Sequence, residues 1–384
     1  MSYKLDKNTV HSTFGTKIKV MIFGGSHEPV IGTTITGLPS GTEIDMDALQ
    51  AFLERRAPGN SPFATSRKET DFAIAKEGLT DNGLADNAAR NSKVTTGDPL
   101  TFLIENTNTK PADYVILADI PRPGHADFSA YMKYSADADT APSMSGGGPF
   151  SARMTAPLCI AGGIALQLLT KRGISIGAHI YSIADVKDIP FETLGPSSDI
   201  FAILKKKDFP VLSESAEESM KEIIGSAKAQ GDSVGGIVEA CVTGLPAGLG
   251  GPMYDGIESV LSPILFGIPA VKGVEFGDGF ASTKLLGSEN NDAFYMDGSA
   301  VKTKTNHHGG ILGGITSGMP LITRVAFKPT PSIAKEQDSV SLSRGENVKL
   351  YIKGRHDPCV AVRAVPIVEA ALAIGLLDLI LSMK

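Results

Sequence analysis

A six-residue turn signature occurs twice in the chain, as Thr36-Gly37-Leu38-Pro39-Ser40-Gly41 and as Thr243-Gly244-Leu245-Pro246-Ala247-Gly248. Each copy follows a strand-like run and precedes an acidic residue, Asp45 or Asp255, that opens an expected helix. Glycine punctuates a chain by reaching positive φ and proline by fixing φ. The same string at the same kind of junction therefore predicts a strand–turn–helix unit in each half. The expected fold is a single α/β (α+β) body over residues 1–384 with an internal pseudo-repeat. No linker composition divides it, and residues 188–215, rich in Pro, Ser, Lys and Asp, read as a surface connection.

Residues 17–23 and 30–36 have the composition of strands flanked by Gly and Pro. Asp45 is placed to cap a helix with Met46, Leu49, Phe52 and Leu53 on one face. Ser215 and Glu218 read as a capping box for a second helix, with Met220, Ile223, Ile224 and Ala227 apolar and Gly231 as its stop. Further helices are expected at 157–172, 255–266 and 366–382. The last is apolar nearly all round, which implies burial.

Charge and cysteine usage exclude several classes. A net charge of −6 argues against a nucleic-acid partner. Three scattered cysteines suggest neither a disulfide framework nor a zinc site. The apolar stretches 157–169 and 370–381 are too short, or too interrupted by charge, to span a bilayer, and the start of the chain does not read as a signal peptide. The expected setting is cytoplasmic, with neither membrane nor resident metal.

Chemistry is concentrated in loops. Histidines sit in Ser26-His27 after Gly24-Gly25, in Arg122-Pro123-Gly124-His125-Ala126-Asp127, and in Gly354-Arg355-His356-Asp357-Pro358. Loop imidazoles serve as acids or bases near neutral pH. Ser145-Gly146-Gly147-Gly148 before Ser151-Ala152-Arg153 offers backbone N–H groups to an anion. Lys328-Pro329-Thr330-Pro331-Ser332 puts a cation beside two hydroxyls on a stiffened backbone. Arg55, Arg56, Arg67, Arg122, Arg153, Arg355 and Arg363 lie in or beside these clusters, which favours a pocket for a polyanion. No phosphate loop of the nucleotide-hydrolase type and no well-placed dinucleotide fingerprint is present.

Several strings, in order, resemble the chorismate synthase family: RPGHAD at 122–127, DSVGG at 232–236, GLPAGLG at 244–250, AVKG at 270–273, GGILGG at 309–314, KPTPSI at 328–333 and GRHDPC at 354–359. The resemblance runs from about Phe14 to the C-terminal helix. It implies a β-α-β sandwich, a homotetramer, and reduced FMN as cofactor, with NADPH as a reductant. The implied reaction is anti-1,4-elimination of phosphate from 5-enolpyruvylshikimate 3-phosphate, giving chorismate. By that likeness His27 donates a proton at the leaving phosphate and His125 offsets charge on the flavin. Asp357 helps deprotonate the flavin, and Ser26 and Ser151 support these groups. Flavin contacts fall on Ser151, Ala270, Gly313, Lys328, Pro329, Thr330, Pro331, Ser332 and Arg355. Substrate contacts fall on Arg56, Arg67, Arg122, Arg153 and Arg355, and Arg56 also stands at the position linked to the nicotinamide reductant.

The chain departs from the family pattern at a few places. The family's Gly-Glu-Ser-His-Gly is Gly24-Gly25-Ser26-His27-Glu28 here, which sets a carboxylate near the expected phosphate site. Its Arg-Ser-Ser is Pro149-Phe150-Ser151, and Pro62 stands where an arginine is common. Extra residues also separate His125 from Gly146. These departures leave open a weakened relative that binds flavin or anions without full turnover.

Overall fold

The computed structural model describes residues 10–59, 63, 69–81, 89–107, 111–134, 143–352 and 356–383. The N-terminal half forms a five-stranded sheet from β1 (His11–Phe14), β2 (Lys19–Gly24), β3 (Val30–Thr36), β4 (Ile74–Glu77) and β5 (Leu100–Glu105), in the order β1-β2-β3-β5-β4. The C-terminal half forms a second from β6 (Ser175–Ile183), β7 (Val186–Lys187), β8 (Gly236–Thr243), β9 (Val271–Phe276) and β10 (Leu321–Phe327), in the order β7-β6-β8-β10-β9. Every pairing within both sheets is antiparallel.

Helices fill the space between the sheets. They are α1 (Met46–Arg56), α2 (Thr155–Thr170), α4 (Ile257–Phe266) and α5 (Ala361–Ser382), while α3 (Glu214–Ala229) packs at the β6–β7 edge. Helix α2 lies on β2, β3 and β5, α5 lies on β6 and β8, and the two helices pack along each other. That middle position explains the all-round apolar sequence of α5, which has no water-facing side over most of its length. The segments Ala152–Thr170 and Ala361–Ser382 are longer than the sequence suggested and are long and apolar enough to cross a membrane, but both lie mostly inside the protein.

The two halves repeat one another closely. In the first turn Gly41 N donates to Thr95 O at 2.9 Å, Thr95 N to Thr42 O at 3.0 Å, Thr42 N to Thr95 Oγ1 at 3.0 Å, and Thr95 Oγ1 to Pro39 O at 2.6 Å. In the second, Gly248 N donates to Thr316 O at 2.9 Å, Thr316 N to Leu249 O at 2.8 Å, Leu249 N to Thr316 Oγ1 at 2.9 Å, and Thr316 Oγ1 to Pro246 O at 2.7 Å. Gly37 and Gly244 take φ of 87° and 82°. A Cβ on either would stand 1.9 Å from Lys17 O or 2.2 Å from Gly173 O, so only glycine fits. Sheet register agrees as well: Lys19 faces Thr36 as Ser175 faces Thr243, and Ile35 faces Leu100 as Val242 faces Leu321. The pseudo-repeat is structural.

Local expectations needed four adjustments. Asp45 caps α1, accepting from Ala48 N at 2.9 Å, but Asp255 lies in a short 3₁₀ turn and Gly256 stands at the cap of α4. Helix α3 starts at Glu214 with Ser213 as its cap, two residues before the expected Ser215, because Asp188 fixes the N–H groups of Leu212 and Ser213. Helix α5 begins at Ala361 and carries Pro366 inside it. Residues 188–215 are more than a surface connection, since Phe191, Phe201 and Leu204 bury against Cys241 and Ile322 on the outer face of the second sheet.

Candidate active site

Corresponding ends of the two halves enclose a cavity of about 420 Å³. Its walls include the segment after β5, the start of α2, the segments after α4 and β10, and the start of α5. The glycine run at its centre has φ of 64°, 99° and 50° at Gly146, Gly147 and Gly148. A Cβ on Gly146 would overlap the His27 ring at 2.1 Å, and one on Gly147 would come within 3.1 Å of His125 Nε2. Glycine is what lets two imidazoles, nearly a hundred residues apart in sequence, press on consecutive residues of one strand of backbone.

His125 is held from behind. Its Nδ1 lies 2.6 Å from Asp127 Oδ1, and Arg122 bonds the same carboxylate through Nε at 2.7 Å and Nη2 at 2.8 Å. Burial alone raises the Asp127 carboxyl, but hydrogen bonds from Arg122 and His125 hold it far below the usual range. Asp127 therefore stays ionised and fixes the His125 tautomer, leaving Nε2 on the Gly147 side. His27 stacks edge-on against Tyr114, with ring centroids 4.8 Å apart, and its Nδ1 is 3.2 Å from Ser26 Oγ. Ser26 Oγ in turn donates to Ser145 O at 3.1 Å.

Helix starts supply further groups. Ser151 caps the short turn before α2 by accepting from Arg153 N at 3.3 Å. Asp357 Oδ2 accepts from Arg363 Nη1 at 2.9 Å, while its Oδ1 is buried without a hydrogen bond among the described residues. His356 also lines the cavity, and its pKa is lowered first by burial. From the second half, Ala270 takes φ of 74°, a strained value for a residue with a Cβ, and its carbonyl accepts Lys328 N at 3.0 Å. Lys328 Nζ donates to Gly124 O, which ties the two halves together across the cavity. Burial, then the charge of Lys272, pushes its pKa down.

The cavity thus gathers His125, Asp357, Ser151, Ala270, Lys328, Thr330, Pro331, Ser332, Arg122 and Arg153, with His27 and Ser26 behind Gly146. Gly313, in a tight hairpin, and Pro329 do not line it. Arg56 does not face it either: it is fully buried, 2.6 Å from Asp71, and its pKa is lowered to about 10 by burial. Arg67, Arg355 and Pro62 lie outside the described residues. Glu28 does not intrude, since its carboxylate turns back towards Gly25. Pro149 faces a neighbouring apolar cavity, and Phe150 lines the mouth of the main one.

Sequence reading named Asp127 and Asp357 but missed Glu69, Asp71 and the pairing of all four with arginines. Arg153 pairs with Glu69 and Asp71, Arg122 with Asp127, and Arg363 with Asp357. The cations are therefore balanced by carboxylates, Asp71 and Asp127 from behind and Glu69 and Asp357 within the cavity lining, where a positive pocket had been expected. A regular Glu-x-Asp spacing at Glu69 and Asp71 was the available signal. His307 and His308 bond different acids, Asp278 at 2.7 Å and Asp292 at 2.9 Å, and do not converge.

The chain is similar throughout to proteins of one known family. A family model described as chorismate synthase matches residues 18–381. The chorismate synthase of Lancefieldella parvula is 44% identical over 382 residues, spanning 97% of this chain and 96% of its own. Those of Korarchaeum cryptofilum and Thermococcus gammatolerans are 40% and 42% identical; they span 95% and 96% of this chain, and 96% and 98% of their own. A crystal structure of a chorismate synthase superposes with a TM-score of 0.70 over 96% of this chain and 92% of that one, at 24% identity, a likeness of fold.

Proposed function

The chain belongs to the chorismate synthase family, and on that premise we propose that its cavity eliminates phosphate from 5-enolpyruvylshikimate 3-phosphate to give chorismate, with reduced FMN bound alongside. The observation that carries the proposal is the meeting of His27 and His125 on consecutive glycines beside Lys328, Arg153 and Asp357. The residues present suit an anionic cofactor. The cavity volume is that of a small-molecule site, Lys328, Thr330 and Ser332 offer a phosphate grip, and Ser145 Oγ, Arg153 Nη2 and Asp357 Oδ1 are buried polar atoms without hydrogen bonds among the described residues. Bound there, reduced FMN would supply an electron lent as phosphate leaves and regained with the ring hydrogen, which keeps the elimination redox-neutral overall.

The protein's own groups divide the work. Ser26 spends its one hydroxyl hydrogen on Ser145 O, so it accepts from His27 Nδ1–H. A proton delivered to the leaving phosphate then comes from His27 Nε2, on the imidazolium form. Arg122 and Arg153 hold the substrate's anionic oxygens, most usefully where charge grows on the leaving group. His125, anchored by Asp127, presents Nε2 to the flavin's developing charge. Asp357, steadied by Arg363, offers Oδ1 as a proton acceptor. Ser151 and Ala270 set the cofactor's position.

The proposal extends to a homotetramer in the cytoplasm, with NADPH as the flavin's reductant. Support for assembly comes from exposed apolar side chains at Met253, Tyr254, Phe266, Phe280, Leu286, Phe294, Met296 and Val301, more than a lone surface accommodates comfortably. The test is chorismate formation by the purified protein with reduced FMN under anaerobic conditions. His125→Ala is expected to lower kcat by about 10²–10⁴-fold. Folded, flavin-loaded protein that forms no chorismate sinks the assignment.

A further inference from the structure

Arg153 lines the cavity with only 6% of its surface exposed. Two of its three guanidinium nitrogens are already committed. Nε donates to Asn106 Oδ1 at 3.0 Å and lies 3.1 Å from Glu69 Oε2, and Nη1 donates to Asp71 Oδ1. Nη2 alone is buried with no hydrogen bond among the described residues. Asp71 is itself fixed from the rear, since its Oδ2 lies 2.6 Å from Nη2 of the fully buried Arg56, whose Nη1 donates to Thr155 Oγ1 at 3.2 Å.

Carboxylates beside a binding arginine, here Glu69 in the cavity lining and Asp71 behind it, can act in two opposed ways. As simple counter-ions they compete with the ligand and weaken its binding. As clamps they fix a planar guanidinium so that one edge is aimed in advance, and so strengthen it. The geometry favours the second. A guanidinium gripped at Nε and Nη1 is fixed in its plane, and the edge that remains is the one with no hydrogen bond among the described residues.

We propose that Glu69 and Asp71 are positioning residues, which hold Arg153 so that its Nη2 edge meets an anionic oxygen of the phosphorylated substrate. The proposal rests on the substrate assignment above. It separates from charge balance by the sign of one effect. Loss of a negative charge near an anion site tightens anion binding if the carboxylates only neutralise, and weakens it if they aim Arg153.

The experiment uses the full-length, flavin-loaded protein carrying Glu69→Gln or Asp71→Asn. Binding of 5-enolpyruvylshikimate 3-phosphate is measured by calorimetry, alongside KM, kcat and thermal melting. Each variant is expected to weaken binding by about 10- to 100-fold, the cost of one charge-assisted hydrogen bond. The loss should fall on KM more than kcat, and Glu69→Asp should recover part of it. Unchanged or tighter binding overturns the proposal. Should Asp71→Asn fail to fold, Glu69→Gln decides, because it leaves both bridges to Asp71 in place. Wild-type protein that binds this substrate without turning it over rejects the reaction alone, and the sign test still stands; wild-type protein that does not bind it rejects both.

Discussion

At one shared register the two sheets carry opposite chemistry. The first aligns Phe23, Gly32 and Leu103 across β2, β3 and β5, and the second aligns His179, Glu239 and Arg324 across β6, β8 and β10. In the first sheet the tip of the Phe23 ring sits over Gly32, where a Cβ would come within 2.4 Å of it. In the second, His179 bonds Asp188 at 2.9 Å and Glu239 at 3.1 Å, and Arg324 bonds Glu239 at 2.8 Å. Strand pairing depends on backbone groups and on the turn that sets register, so each face is free to change provided every buried group stays satisfied.

The functional groups follow the same rule. Corresponding places in the two halves give Arg122 and His125 after β5, but Lys328, Thr330 and Ser332 after β10. They give Ser151 and Arg153 before α2, but Asp357 before α5. One frame, used twice, thus supplies His27 and His125 from one half and Lys328, two hydroxyls and Asp357 from the other.

The largest test of this contrast is Glu239→Ala, which strands His179, Arg324 and the Phe191 N–H together. It should cost about 3–5 kcal/mol in urea unfolding, as loss of one member of a buried ionic network does. A loss under about 1 kcal/mol would mean the network adds nothing to the second sheet.

Next in size is the repeated turn. Thr95→Val and Thr316→Val each remove a buried hydroxyl that both donates and accepts. Each should cost about 1–2 kcal/mol, and the two losses should add in the double variant. Strongly unequal losses would show that the matched geometry hides unequal dependence.

The smallest effect is in pH. Burial alone would lower the His179 pKa, but the bonds to Asp188 and Glu239 raise it above its ordinary 6.5. Its contribution to stability is therefore full below that unfolded value and is lost as pH rises through the folded one. Wild-type stability relative to His179→Gln should fall on the alkaline side, with a slope no steeper than about 1.4 kcal/mol per pH unit. A flat difference would show that His179 is neutral in the folded protein.

Much of the fold was legible because it is decided by neighbours. Asp45 caps α1, Gly231 follows the end of α3, and the paired turn strings fold alike, since each depends on a few adjacent dihedrals and the absence of a Cβ. The loops bearing His27, His125 and Asp357 were recognisable from residue type and their Gly and Pro flanks. Where the reading slipped, a distant partner had intervened. Asp188 drew the α3 cap back to Ser213, and packing on the second sheet buried Phe191 and Phe201 in a segment that looked like a surface loop.

The sequence alone determined the repeated unit, its turns and the stock of cations and imidazoles, because those are written in short strings. Only the tertiary structure decided that Arg153 faces the cavity while Arg56 is sealed behind it, and that both share Asp71. The chain separates Arg153 from Asp71 by 82 residues. Which guanidinium keeps an edge free for a ligand depends on such contacts, and on desolvation that no local string records.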